Sequence, residues 1–316
     1  MFNNRTPGNI SLKETLFYRQ AELLLQILPF FKQEKVFALK GGTAINFFHR
    51  NLPRLSVDID LTYLPINKRD TALSDISRRL ENVSGRIIKQ FPNGKIIKKT
   101  LSGTDHIIGL IFKREQVSVK IEPNNIVRGA VYPIEQIKLC KSVREKFEMT
   151  LSMQTLSLAD LYGSKICAAL DRQHPRDLFD VHFLLKNEGI TGEIRKAFIV
   201  YLISHPRPLC ELLNPNYQKI DDVYEKEFKG MIFEKTSLKD LIQTQRFLFQ
   251  SMKSILTADE KQFLISFKSL DPQWDLLGLN NIQRMPGVKW KLLNLEKMSK
   301  TKHQQAVGKL VDCLNG

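Results

Sequence analysis

Between residues 11 and 33, apolar side chains such as Leu16, Leu23, Leu24, Ile27 and Leu28 recur at three- and four-residue steps, which predicts an amphipathic helix leading into the first strand. The run "VFALK" (36–40) is built of strand formers and stops at Gly41-Gly42, after which "TAINFFHR" predicts a short helix with Thr43 near its N-cap. In "VDIDL" (57–61) apolar and acidic positions alternate. Successive side chains of a strand point to opposite faces, so Asp58 and Asp60 share one face, turned away from the core, while Val57, Ile59 and Leu61 share the other. Leu73, Ile76, Leu80, Val83 and Ile87 predict a helix over 70–90. Three strand-like runs follow at 95–101, 106–113 and 117–123, with connections short enough for antiparallel pairing.

From Leu156 onward the pattern becomes helical. Ser157-x-x-Asp160 predicts a capping box ahead of "LADLYGSKICAALDR", Pro175 opens the next helix, and Ser237-x-x-Asp240 and Thr257-x-x-Glu260 mark later helix starts. The expected fold is α+β: a small mixed β-sheet flanked by helices over residues 1–150, then a mostly helical C-terminal domain over 151–316. No repeat or low-complexity linker marks that boundary; it is set where strands give way to helices.

Composition narrows the class. With 316 residues, 42% of them hydrophobic, the chain buries a core of one large or two modest domains, and disorder is not indicated. Cys140, Cys167, Cys210 and Cys313 form no CxxC pair, and no His/Cys group has zinc spacing, so a reduced, cytoplasmic protein is expected. The N-terminal stretch lacks a basic segment followed by an apolar one, and no apolar run is long enough to span a bilayer, so no membrane association is expected. The net charge of +15 favours a polyanionic partner such as nucleic acid over a merely well-solvated surface. Two clusters add to this: Arg86, Lys89, Lys95, Lys98 and Lys99 with no acid among them, and Lys289, Lys291, Lys297, Lys300 and Lys302 against Glu296.

Two carboxylates on one strand face repel by up to ~4 kcal/mol at 4 Å and an effective dielectric of 20, so they need a cation, a shared proton or open water. A solvated edge strand satisfies Asp58 and Asp60 as well as a metal does. Their neighbourhood favours the metal. A glycine turn at a helix N-terminus lets phosphate oxygens approach backbone N–H groups, Thr43 adds a hydroxyl there, and oxygen-rich sites beside phosphate suit Mg²⁺ or Mn²⁺. Lys165 lies on or beside the apolar stripe of its helix, so its ammonium either snorkels to the surface or points into a cleft where phosphate compensates it. Asp177 is expected to complement the N-terminus of its helix or to pair with Arg172 or Arg176.

The stretches "GGTAINFFHRNLPRLSVDIDL", "VKIE" and "KICAALDRQHPRDLFDVHFLL" resemble the AbiEii/AbiGii-type toxin family of the DNA polymerase β-like nucleotidyltransferase superfamily, with the likeness running over residues 15–190. The resemblance implies a nucleotidyltransferase core in which Gly41, Gly42 and Thr43 form the nucleotide-binding turn and Asp58 and Asp60 bind metal. Glu122 is then the candidate third acid, the alternatives being a pair with Lys120 or exposure to solvent. By the same likeness Lys165 contacts the triphosphate, and Asp180 orients Lys165 or assists deprotonation of the attacking hydroxyl. Ser56 hydrogen-bonds a phosphate or a metal-bound water, or simply caps a turn. The implied reaction moves a nucleoside monophosphate from an NTP to an RNA acceptor, the tRNA 3′ end being favoured, with Mg²⁺ or Mn²⁺ as cofactor, and a cognate antitoxin is implied as a partner. The rival readings are a small-molecule, antibiotic-type nucleotidyltransferase and an inactive RNA-binding module of the same fold.

Overall fold

The structure, a computed structural model, describes residues 15–315. Helix α1 (Leu16–Ile27) is capped by Thr15, whose side chain accepts from the Tyr18 N–H, and Pro29 then tightens the chain into a 3₁₀ turn over Leu28–Phe31. The part of the predicted helix over 11–14 lies outside the described residues. Strand β1 (Phe37–Lys40) runs into Gly41, whose φ of +67° turns the chain directly into α2 (Gly41–Ala44), continued by wider π-type turns over Ile45–His49. After it come β2 (Asp58–Tyr63), α3 (Arg69–Gln90), β3 (Lys95–Thr100), β4 (Ile107–Arg114) and β5 (Val117–Asn124). Two short strands, β6 (Glu135–Lys138) and β7 (Ser152–Thr155), flank α4 (Lys141–Lys146) and have no counterpart in the sequence pattern, because "EQIK" and "SMQT" are mostly polar and carry no run of strand formers.

The seven strands form one mixed sheet in the order β3-β4-β5-β2-β1-β7-β6. As the connections predict, β3, β4 and β5 pair antiparallel, while β2 lies parallel to β5 and β1 parallel to β7. Because β7 pairs with both β1 and β6, the sheet continues to Thr155 and strands give way to helices just after it. Period-2 alternation is clear in the burial. Ile59, Leu61, Leu110, Phe112, Val119 and Ile121 are wholly buried, whereas Asp58, Asp60, Ser118, Lys120 and Glu122 keep solvent contact. Helix α3 packs against β4, and α1 against β5.

The remaining chain is helical: α5 (Leu158–Arg172), α6 (Pro175–Lys186), α7 (Gly192–Ile203), α8 (Leu209–Leu213), α9 (Asp221–Val223), α10 (Leu238–Ile255), α11 (Ala258–Lys268), α12 (Pro286–Glu296) and α13 (Lys300–Asn315). None of the described helices is long and apolar enough to cross a membrane. Full capping boxes form at Ser237/Asp240 and Thr257/Glu260. The third expected box differs. Ser157 does accept from the Asp160 N–H, but the Asp160 carboxylate turns inward and accepts from the Val131 and Tyr132 N–H groups (both 2.9 Å) and the Tyr201 hydroxyl (2.8 Å). It therefore ties α5 and α7 to the loop after β5. Helices α5 and α7 approach so closely that a Cβ on Gly163 would stand 2.6 Å from the Phe198 nitrogen.

Candidate active site

The site begins with the register of β1, β2 and β5. Lys40 is opposite Asp60 across the antiparallel pair, and Glu122 is opposite Asp60 across the parallel one, so all three side chains rise from the same face as Asp58. The glycines are required by what packs on them. A Cβ on Gly41 would sit 2.3 Å from Asp60 Oδ2, and one on Gly42 would sit 2.6 Å from an Arg54 guanidinium nitrogen. The bare backbone at 41 thus admits a carboxylate beside the turn.

Thr43 does not cap the helix; Lys40 holds the cap position without a side-chain bond. The Thr43 side chain is buried, with Oγ1 2.7 Å from the Asp58 carbonyl oxygen and 2.8 Å from Ser56 Oγ. One hydroxyl has one proton: Thr43 donates it to the carbonyl and accepts the proton of Ser56. Both hydroxyls therefore fix the start of the acidic strand.

Lys165 neither snorkels nor stands free. Its ammonium is 2.8 Å from Asp177 and 3.1 Å from Asp180, both without exposed side-chain surface. Asp180 also accepts two parallel bonds from Arg54 (2.7 and 2.8 Å) and one from Asn46 (3.0 Å). Burial pushes the Asp180 carboxyl up, but Arg54 and Lys165 outweigh it and hold it below the usual value. Both oxygens of Asp180 are thus engaged, one of them by the Lys165 ammonium. Asp177 pairs with Arg172 (2.6 and 3.0 Å), as one expectation had it, and with Lys165; these cations overcome burial and hold its carboxyl well below the usual range. Arg176 turns instead to Asp58, 3.4 Å away.

Lys40, Asp60, Lys165 and Arg172 line one cleft of about 370 Å³, which Tyr201 and His205 also line. Burial pushes the Asp60 carboxyl up, with Asp58 adding to the shift and Lys40 opposing it. Burial likewise lowers Lys40, and Lys165 and Arg172 push it further the same way. In the sequence Lys40 reads only as the last residue of a strand; its place in the site comes from standing opposite Asp60 across the β1–β2 pair.

The carboxylates at 58 and 60 offer the hard oxygens that Mg²⁺ or Mn²⁺ takes, on a face that stays open. Among the described residues no three His, Cys, Asp or Glu side chains converge as a ready ligand set. Glu122 stands beside Asp60, but its carboxylate is held 2.6 Å from Lys99 and not by Lys120. The donors fit a two-carboxylate site, beside which Glu122 stands with one oxygen engaged by Lys99. The basic cluster is also partly matched, with Lys98 2.8 Å from Glu81 and Arg86 2.6 Å from Glu34.

A strand turned by glycine into a helix, then an Asp-x-Asp strand flanked by a parallel acid-bearing strand, defines a nucleotidyltransferase fold. The sequence matches the family described as "Nucleotidyl transferase AbiEii toxin, Type IV TA system" over residues 22–291, and the chain belongs to that family of nucleotidyltransferase toxins of type IV toxin–antitoxin systems. Its structure is similar to that of MenT4, a nucleotidyltransferase toxin from Mycobacterium tuberculosis H37Rv, with a TM-score of 0.57 at 13% identity over 95% of this chain and 96% of the other. No curated protein matches the sequence.

Proposed function

We propose that this toxin transfers a nucleoside monophosphate from an NTP to a hydroxyl of an RNA acceptor, the tRNA 3′ end being the favoured one, with Mg²⁺ or Mn²⁺ held by Asp58 and Asp60. The observation that carries the reading is the pairing of an open two-carboxylate face with a cleft edged by Lys40, Lys165 and Arg172. Bound divalent cations would supply charge neutralisation at the attacking and leaving oxygens. Arg172, 60% exposed on its side chain, and Lys165 face the cleft as counter-charges for a triphosphate, and their partners Asp177 and Asp180 fix where those charges stand. Gly41 keeps the Asp60 carboxylate against the turn, and Thr43 with Ser56 sets the position of Asp58. Most of the rate enhancement then comes from positioning and charge compensation. The basic surface of a chain with net charge +15 supports a polyanionic acceptor over a small cationic one. A cognate antitoxin restrains this activity in the two-gene system.

The test is incubation of the protein with labelled NTPs, Mg²⁺ and total RNA, followed by sequencing of RNA 3′ ends. Label should enter RNA and fall by on the order of 10²–10³-fold in Asp58→Ala with an unchanged melting temperature. Undiminished labelling in that variant, or label appearing only in small molecules, would reject the reading.

A further inference from the structure

The C-terminal lysines that suggested a polyanion partner in the sequence do different things in the structure. Lys291 is buried and donates to the carbonyl oxygens of His205 (2.7 Å), Pro206 (3.4 Å) and Arg207 (2.7 Å), so it pins the segment before α8. His205 and Pro206 edge the nucleotide cleft. The next residues of the same segment, Pro208–Glu211, line a second cavity of about 200 Å³, bounded by α8, the last turn of α11 and α13.

Three cations meet there. Lys268, only 6% exposed, lines the cavity, and among the described residues its ammonium has no hydrogen bond and no carboxylate within ion-pair reach. Burial pushes its pKa down. Lys302 and Lys309 line the same cavity from α13, likewise without partners, and both are exposed. Being seven residues apart, they stand on one helix face ~10.5 Å from each other. The acid on the rim, Glu211, is already 3.5 Å from Arg207. The Lys268 stem is buried while its ammonium keeps an opening to solvent, so an anion entering the cavity would find three ammoniums that no carboxylate already holds. No catalytic role uses these residues, so the unmatched charge is unexplained by the nucleotide cleft.

We propose that this cavity is a second phosphate site, which takes a backbone phosphodiester of the RNA acceptor and so seats the RNA with its end beside Asp58 and Asp60. The RNA part rests on the acceptor proposed above; the phosphate part does not. Two sites lined by consecutive parts of one segment, residues 205–211, let one strand be gripped at a distance from its reacting end, with Lys291 holding the segment between them.

Two arms test it. In the first, the melting temperature of the full protein is followed with inorganic phosphate against chloride at equal ionic strength. Phosphate should stabilise the wild type, and Lys268→Met and Lys302→Ala/Lys309→Ala should each shrink that shift. In the second, RNA binding is measured against salt. The double variant should weaken binding on the order of tenfold and reduce the log–log salt slope by about two, more than Lys35→Ala/Lys138→Ala, which removes the same charge from exposed positions elsewhere. A phosphate shift and a salt slope equal to wild type in Lys302→Ala/Lys309→Ala would overturn the site. If the wild type labels no RNA yet the phosphate shift is lost in the variants, the acceptor reading fails and the phosphate site stands.

Discussion

Two groups of charges lie within one fold and are treated in opposite ways. Around Asp177 and Asp180 every carboxylate oxygen is engaged by Arg54, Asn46, Lys165 or Arg172, and both acids are fully buried. On the strand face, among the described residues, Asp60 has Lys40 opposite it but no ion pair, Asp58 has a single long contact to Arg176, and both keep solvent contact. The first group is matched internally and is therefore rigid. The second leaves negative oxygens to be matched by something that arrives. Burial with partners lowers a carboxyl pKa, and burial without enough of them raises it; the chain shows both signs, at Asp180 and at Asp60.

Substitution on the two sides should separate them most strongly in stability. Asp180→Ala leaves the Arg54 guanidinium, 2% exposed, without its partner, and removing one member of a buried pair costs ~3–5 kcal/mol. A urea midpoint should fall accordingly. Asp60→Asn should leave the midpoint unchanged or raise it, because it removes a half-buried charge that repels Asp58 and has no ion-pair partner among the described residues, while transfer is lost. Equal destabilisation by both would erase the contrast between a matched and an unmatched group.

Acid should reach the matched group through Asp177. Its folded pKa lies below the unfolded value, so its contribution is complete above pH ~4 and is lost as pH falls through the folded value. Stability followed by urea unfolding between pH ~6 and ~3 should therefore decline more steeply in the wild type than in Asp177→Asn, which starts lower but lacks this titration. Parallel curves would mean that Asp177 is not held by Lys165 and Arg172 in solution.

How much of this was legible in the sequence follows from range. The strand–turn–helix at 36–49, the shared face of Asp58 and Asp60 and the caps at Ser237 and Thr257 are local, and period and spacing report them. Asp160 read locally as half of a capping box, but its carboxylate bonds to Val131, Tyr132 and Tyr201. Arg54 and Asp180 are 126 positions apart, so nothing in the spacing of either joins them. Lys40 needed the β1–β2 register, and the pairing of Glu122 with Lys99 needed three strands in order. For the glycines the sequence suggests room for phosphate at the backbone N–H groups; what it does not show is that a side chain at either would also collide with Asp60 or Arg54.

The smallest effect in stability decides the role of Glu122. Its pair with Lys99 is 40% and 44% exposed on the two side chains, so breaking it should cost less than ~1 kcal/mol. Lys99→Met and Glu122→Gln should then have nearly the same melting temperature as the wild type. They differ in what they leave beside Asp60. Lys99→Met frees a carboxylate and should lower the Mn²⁺ concentration giving half-maximal binding, measured directly by titration in the absence of nucleotide; Glu122→Gln removes the carboxylate and should raise it. Glu122 joins the open face as a third acid if the two variants move in opposite directions, and belongs to the matched charges of the edge strand if neither moves.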